Sequence, residues 1–169
     1  DVVGQSQTGS GKTAAFGIPA VEKVDPQVRA VQVLILCPTR ELAVQVGDVL
    51  THLGYPLKLK VAVVYGGVSI NPQMMGLRGG ADIVVATPGR LLDLMDQGFI
   101  RLNEVKMFVL DEADRMLDMG FIHDVKRVIT KLPHQRQTLF FSATMPPEIQ
   151  KLSETILTKP EKVEVTPAA

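Results

Sequence analysis

Seven runs of strand length punctuate this chain, and six of them are followed by a segment with helical periodicity. The strand runs are Val2 to Gln5, Val31 to Cys37, Lys60 to Tyr65, Asp82 to Ala86, Met107 to Leu110, Thr138 to Phe141 and Lys162 to Val165. Most are apolar throughout and do not alternate with polar residues, the pattern of strands covered on both faces by helices. Helices are expected over Lys12 to Val24, Arg40 to Leu53, Pro72 to Leu77, Gly89 to Gln97, Ile122 to Lys131 and Pro146 to Leu157. Strand and helix in strict alternation predict an α/β fold with a mostly parallel central sheet and helices on both faces. Pro88 and Pro146 fall where helices begin, a position at which the missing N–H costs little.

Composition narrows the functional classes. The 169 residues carry 18 Lys and Arg against 18 Asp and Glu, so a globally basic surface cannot steer the chain to a polyanion, and any such binding must be local. With no Trp and two Tyr, a broad aromatic platform for stacking bases is not expected. The single Cys, Cys37, ends an apolar strand and reads as a buried structural thiol; it cannot form an internal disulfide. Apolar runs stop at five residues (Val33 to Cys37, Val61 to Tyr65), too short to span a membrane, and the expected location is cytoplasmic. His52, His123 and His134 lack metal-ligand spacing, and the methionines at 74, 75, 95, 107, 116 and 119 read as core or interface filler.

In a parallel sheet, ligands bind beyond the carboxyl ends of the strands. Six such ends carry the chain's most distinctive polar segments: Ser6 to Thr13, Pro38 to Glu41, Gly66-Gly67, Thr87 to Arg90, Asp111 to Asp114 and Ser142 to Thr144. The first nearly matches the phosphate-binding pattern G-x-x-x-x-G-K-[ST], with Ser6 in place of the first Gly. Gly9 and Gly11 would let the backbone take positive φ and curl its N–H groups around a phosphate, Lys12 would reach the terminal phosphates, and the Thr13 hydroxyl would ligate Mg²⁺. A plain Gly/Ser turn before an ordinary helix is the alternative. Asp111 and Glu112, at the mouth of a buried strand, suit a hydrated Mg²⁺ and an attacking water; a solvated acidic helix start is the alternative. Thr39 and Thr87 equally suit helix capping.

Taken in order, Ser10-Gly11-Lys12-Thr13, Pro38-Thr39-Arg40-Glu41-Leu42, Gly66-Gly67, Thr87-Pro88-Gly89-Arg90, Asp111-Glu112-Ala113-Asp114 and Ser142-Ala143-Thr144 resemble the motifs of the DEAD-box RNA helicases. Met116 to Phe121 is most similar to the bacterial RhlE-like branch. The resemblance implies a RecA-like P-loop domain over residues 1–165, the first of two, with residues 166–169 starting a linker. It implies ATP and Mg²⁺ at Gln7 to Thr13 with catalytic Lys12, Asp111 and Glu112. RNA-backbone contacts would fall at Pro38, Thr39, Arg40, Gly66, Gly67, Thr87, Pro88, Gly89 and Arg90, without base readout. Asp114, Ser142 and Thr144 would couple nucleotide state to strand separation through a hydrogen bond to Asp114. An adenine-reading segment ahead of Asp1 and a second RecA-like domain bearing an arginine finger are also implied, so this chain alone is expected to hydrolyse ATP poorly and not to unwind RNA. Two rivals are an ATPase acting on duplex DNA and a scaffold that uses nucleotide only as a switch.

Overall fold

A computed structural model describes residues 1–5 and 11–164. Seven strands, β1 (Val2–Gln5), β2 (Val33–Leu36), β3 (Val61–Val64), β4 (Ile83–Ala86), β5 (Met107–Leu110), β6 (Gln137–Ser142) and β7 (Glu161–Glu164), form one sheet in the order β3-β4-β2-β5-β6-β1-β7. Every pairing is parallel. The connecting helices are α1 (Lys12–Lys23), α2 (Arg40–Gly54), α3 (Asn71–Arg78), α4 (Pro88–Asp96), α5 (Ala113–Asp118), α6 (Ile122–Ile129) and α7 (Pro147–Ile156), and a single 3₁₀ turn lies at Tyr55–Leu57.

The apolar runs divide their residues between two cores because successive side chains leave a strand on opposite faces. Val33, Ile35, Ile83, Val85, Met107 and Val109 point to the face covered by α1 and α2, through Phe16, Ala20, Val46 and Leu50. Leu34, Leu36, Val84, Phe108, Leu110 and Phe140 point to the other, where α3 to α7 supply Leu77, Leu91, Met116, Val125 and Ile149. The central strands β2, β4 and β5 are buried along their whole length, and each such Leu, Ile or Phe side chain contributes about 1.5–3 kcal/mol of burial. At Gly47 a Cβ would run into the Val63 side chain, so the absence of a side chain lets α2 lie directly on the edge strand β3.

The sequence expectations for strands and helices hold with shifts of one or two residues at most ends. The helix Ala113–Asp118 is missing from the expected helices because its six residues are too few to show a period; it does begin within the acidic segment, but Asp111 and Glu112 ahead of it are buried and not solvated. Pro19 sits inside α1 without ending it. Cys37 is buried, and burial together with the nearby Asp111 and Glu112 carboxylates pushes its thiol well above the usual range, as a structural thiol requires. Met107 and Met116 fill the core; Met75 and Met119 instead stand exposed. All three histidines are exposed.

Candidate functional site

Because all strands run the same way, the six polar segments emerge at one edge of the sheet, and strand order sorts them into two groups. Gly66-Gly67 follows β3, Thr87 to Arg90 follows β4 and Pro38 to Arg40 follows β2, so these three lie side by side. Asp111 to Asp114 follows β5, Ser142 to Thr144 follows β6 and Gly11 to Thr13 follows β1, and these form the neighbouring half. Gln7, Thr8, Gly9 and Ser10 lie outside the described residues.

In the second half, Gly11 takes a left-handed conformation (φ 78°) immediately before α1, as a phosphate-cradling turn requires. Lys12, the first residue of the helix, is 8% exposed, and its Nζ lies 2.7 Å from Oδ1 of the fully buried Asp111. The two side chains reach each other across the end of β6. Burial raises the Asp111 carboxyl against the pull of the Lys12 ammonium. Its Oδ2 is buried without a hydrogen-bond partner among the described residues, an acceptor left open to a cation or its bound water. No group of three or more His, Cys, Asp or Glu side chains gathers for a metal among the described residues.

Glu112 follows in a left-handed backbone conformation (φ 52°, ψ 55°) and is buried at 7% exposure. For a glutamate this costs about 1–2 kcal/mol, and the surrounding packing must enforce it. The turn separates the directions of adjacent carboxylates: Asp111 pairs with Lys12, while Glu112 has Arg115 Nη1 3.9 Å from its Oε1.

Asp114 ties β5 to β6. Its Oδ2 accepts from the Thr144 N–H and Oγ1, each at 2.9 Å, while its own N–H donates to Ser142 Oγ at 3.1 Å. The Ser142 hydroxyl donates to the Thr144 carbonyl, closing the ring at 2.6 Å. Asp114, Ser142 and Thr144 are thus one hydrogen-bonded unit. Burial alone would raise the Asp114 carboxyl, but the two bonds from Thr144, with the adjacent Ser142 hydroxyl and the bond from the Arg115 N–H, outweigh it and hold the group below its ordinary value. A depressed carboxyl contributes stability that is complete above the unfolded value, about 3.9, and lost as pH falls through the lower folded value. The thermal advantage of the native chain over Asp114→Asn is therefore expected to shrink as pH is lowered below about 4. Unfolding midpoints of both proteins from neutral to acid pH check this; a constant difference would exclude it.

In the first half, the Thr39 hydroxyl accepts from the Leu42 N–H at 3.2 Å and caps α2, whereas Thr87 stands at the start of α4 with no such side-chain bond. The capping alternative is therefore met at Thr39 only. Pro88 occupies the first turn of α4. Gly66, Gly67 and Gly89 are exposed and have open space where a Cβ would sit, with Gly67 at φ 84°. The Arg40 guanidinium lies 5.0 Å over the Tyr65 ring. Arg90 is tied inward, Nη1 donating to Gln73 Oε1 at 3.1 Å and Nη2 to the Val68 carbonyl at 2.9 Å. Tyr65 and Gln73 take part in this cluster without any prior signal; the contacts arise only once β3, α3 and α4 are packed together. A surface cavity of about 720 Å³, lined by Arg29, Lys60, Asp82 and Arg101 among others, lies at the opposite edge of the sheet and holds none of the six segments.

An all-parallel sheet with a glycine-led helix lysine paired to a carboxylate at the end of a neighbouring strand defines a RecA-like domain of the P-loop type. The DEAD/DEAH box helicase family model matches residues 1–152, and the chain belongs to that family. It is 50% identical over 165 residues to the DEAD-box ATP-dependent RNA helicase CshA of Bacillus subtilis (strain 168) and 49% identical to CshA of Geobacillus kaustophilus, in each case across 98% of this chain. Those alignments cover 33% and 35% of the two relatives, so the chain spans about a third of their length. A crystal structure of a DEAD box protein from the hyperthermophile Methanococcus jannaschii superposes with a TM-score of 0.92 at 44% identity, covering 98% of this chain and 45% of that one. That of a hypothetical ATP-dependent RNA helicase from Sulfolobus tokodaii gives 0.89 at 43%, covering 98% and 48%.

Proposed function

We propose that this chain is the ATP-binding, RNA-contacting first RecA-like domain of an ATP-dependent RNA helicase, with residues 1–165 as the domain and 166–169 leading toward a second one. The observation that carries the reading is the buried Lys12–Asp111 pair beside Glu112, set on the same sheet edge as a row of open glycine turns. An ion pair this deeply buried is poor value for stability, since apolar residues of the same volume would serve as well or better. A site that exchanges the pair for a phosphate and a cation accounts for it.

Lys12 would turn from Asp111 to the terminal phosphates of ATP, cradled by the N–H groups of Gln7 to Thr13 at the start of α1. Asp111, through its open Oδ2, and the Thr13 hydroxyl would hold Mg²⁺, largely through water. When bound, the ion neutralises charge building on the phosphates. Glu112 would orient the attacking water and take its proton. The Asp114, Ser142 and Thr144 unit would carry the change at β5 to the end of β6. RNA would be gripped along its backbone by Pro38 to Arg40, Gly66-Gly67 and Thr87 to Arg90, through main-chain N–H groups and arginine charge and without base reading. An arginine finger and the other half of the RNA clamp would come from the second RecA-like domain. Among the described residues no helix is long and apolar enough to cross a membrane.

The deciding experiment measures ATP hydrolysis by the full-length protein with single-stranded RNA and with DNA of the same sequence, and repeats it with residues 1–169 alone. Stimulation by RNA only, with the short chain nearly inactive, is expected. Equal stimulation by DNA would move the function to a DNA-directed ATPase, and ATP binding without stimulated turnover to a nucleotide-switched scaffold.

A further inference from the structure

Gln73 belongs to none of the six polar segments, yet its side chain is the joint at which two of them meet. It lies on α3, and its amide faces back to the last residue before the Gly66-Gly67 turn. Nε2 donates to the Tyr65 carbonyl at 3.0 Å, and Oε1 accepts from the Tyr65 N–H at 3.3 Å, so one side chain pairs with both main-chain groups of that residue. The same Oε1 accepts from Arg90 Nη1 at 3.1 Å. Arg90 Nη2 then donates to the Val68 carbonyl at 2.9 Å, on the far side of the turn. The glycine pair is enclosed from both ends, and the start of α4 is bound to it.

We propose that Gln73 is a positioning residue for nucleic-acid backbone binding: through Tyr65 and Arg90 it holds the Gly66-Gly67 turn and the Thr87–Arg90 loop together as one preformed surface. The inference rests on the RNA reading given above. Two adjacent exposed glycines have more conformational freedom to lose than any other pair, and a ligand that had to order them would bind correspondingly weakly. The brace removes that cost before the ligand arrives. Only a neutral amide satisfies all three contacts, since a donor must face the Tyr65 carbonyl while an acceptor faces the Tyr65 N–H and the guanidinium. Arg90 spends two of its five N–H donors on the brace and keeps the others for phosphate.

The test uses the full-length protein, a fluorescently labelled single-stranded RNA and a non-hydrolysable ATP analogue. Gln73→Ala is expected to weaken RNA binding about tenfold and to raise the KM for RNA in stimulated hydrolysis by the same factor, with kcat at saturating RNA and nucleotide affinity retained. Gln73→Glu, which keeps the Arg90 contact but opposes a carboxylate to the Tyr65 carbonyl, is expected to lose RNA affinity as well. Combining Gln73→Ala with Arg90→Ala should cost less than the product of the two single losses, because the residues act through one brace. Unchanged RNA affinity in Gln73→Ala, a parallel loss of kcat and nucleotide affinity, or fully multiplicative losses would each overturn the assignment. If the native protein itself fails to bind RNA, it is the functional reading that falls, so the two failures are separable.

Discussion

Replacing Lys12 with Ala is expected to damage both stability and nucleotide binding, through one buried carboxylate. Asp111 has no exposed surface, and Lys12 at 2.7 Å is its counter-charge. Removing one partner of such a pair costs about 3–5 kcal/mol, which for a chain of this size lowers the unfolding midpoint by roughly 10 °C. The stranded carboxyl escapes part of that cost by taking up a proton, so the deficit of the variant should narrow as pH falls. ATP affinity should fall as well, by about 1.5–3 kcal/mol for the lost charged hydrogen bond. Adding Asp111→Asn to Lys12→Ala separates the two effects, since it relieves the buried charge and should recover stability without recovering nucleotide binding. Thermal unfolding and calorimetric titration with ATP read the two quantities independently. Full stability in Lys12→Ala would show that the ion pair contributes nothing, and unchanged affinity would remove Lys12 from the site.

The second large effect is expected at Glu112. In the full-length protein Glu112→Gln should lower kcat about 10²–10⁴-fold while nucleotide and RNA remain bound, because the amide keeps the side chain's size but cannot accept a proton. The left-handed backbone at this residue makes the comparison clean. Gln bears the same steric cost there as Glu, so the Asp111–Glu112 turn and its neighbours should be unaffected. Single-turnover hydrolysis alongside equilibrium binding distinguishes the outcomes. Retained turnover would show that another group activates the water, and lost binding would mean that Glu112 supports the nucleotide directly.

Local chemistry made much of this molecule readable in advance. Continuous runs such as Val33 to Cys37 announce a strand buried on both faces, and Thr39 or Pro88 announces a helix start, because these depend on a residue and its near neighbours. The acidic segment Asp111 to Asp114 was legible for the same reason. What escaped was non-local. Glu112 adopts a conformation that glutamate does not favour, imposed by packing around the end of β5. Gln73 looks like any polar residue on a short helix until β3 and α4 are brought beside it.

Side-chain chemistry over a few positions dictates the elements, the two-sided burial of the sheet and the polar segments at its strand ends, and these can be read from the chain alone. Tertiary structure decided the order of the strands. Along the chain, the three strand-helix units of β2, β3 and β4 separate the Lys12 turn from the acidic motif by about a hundred residues, each unit needing a helical crossover of a dozen or more residues. In the sheet only β6 lies between β1 and β5, which brings Lys12 onto Asp111, and the other three ends form a separate row. That sorting of the strand ends into two groups is set by which apolar faces pack together across long distances, and no local pattern encodes it.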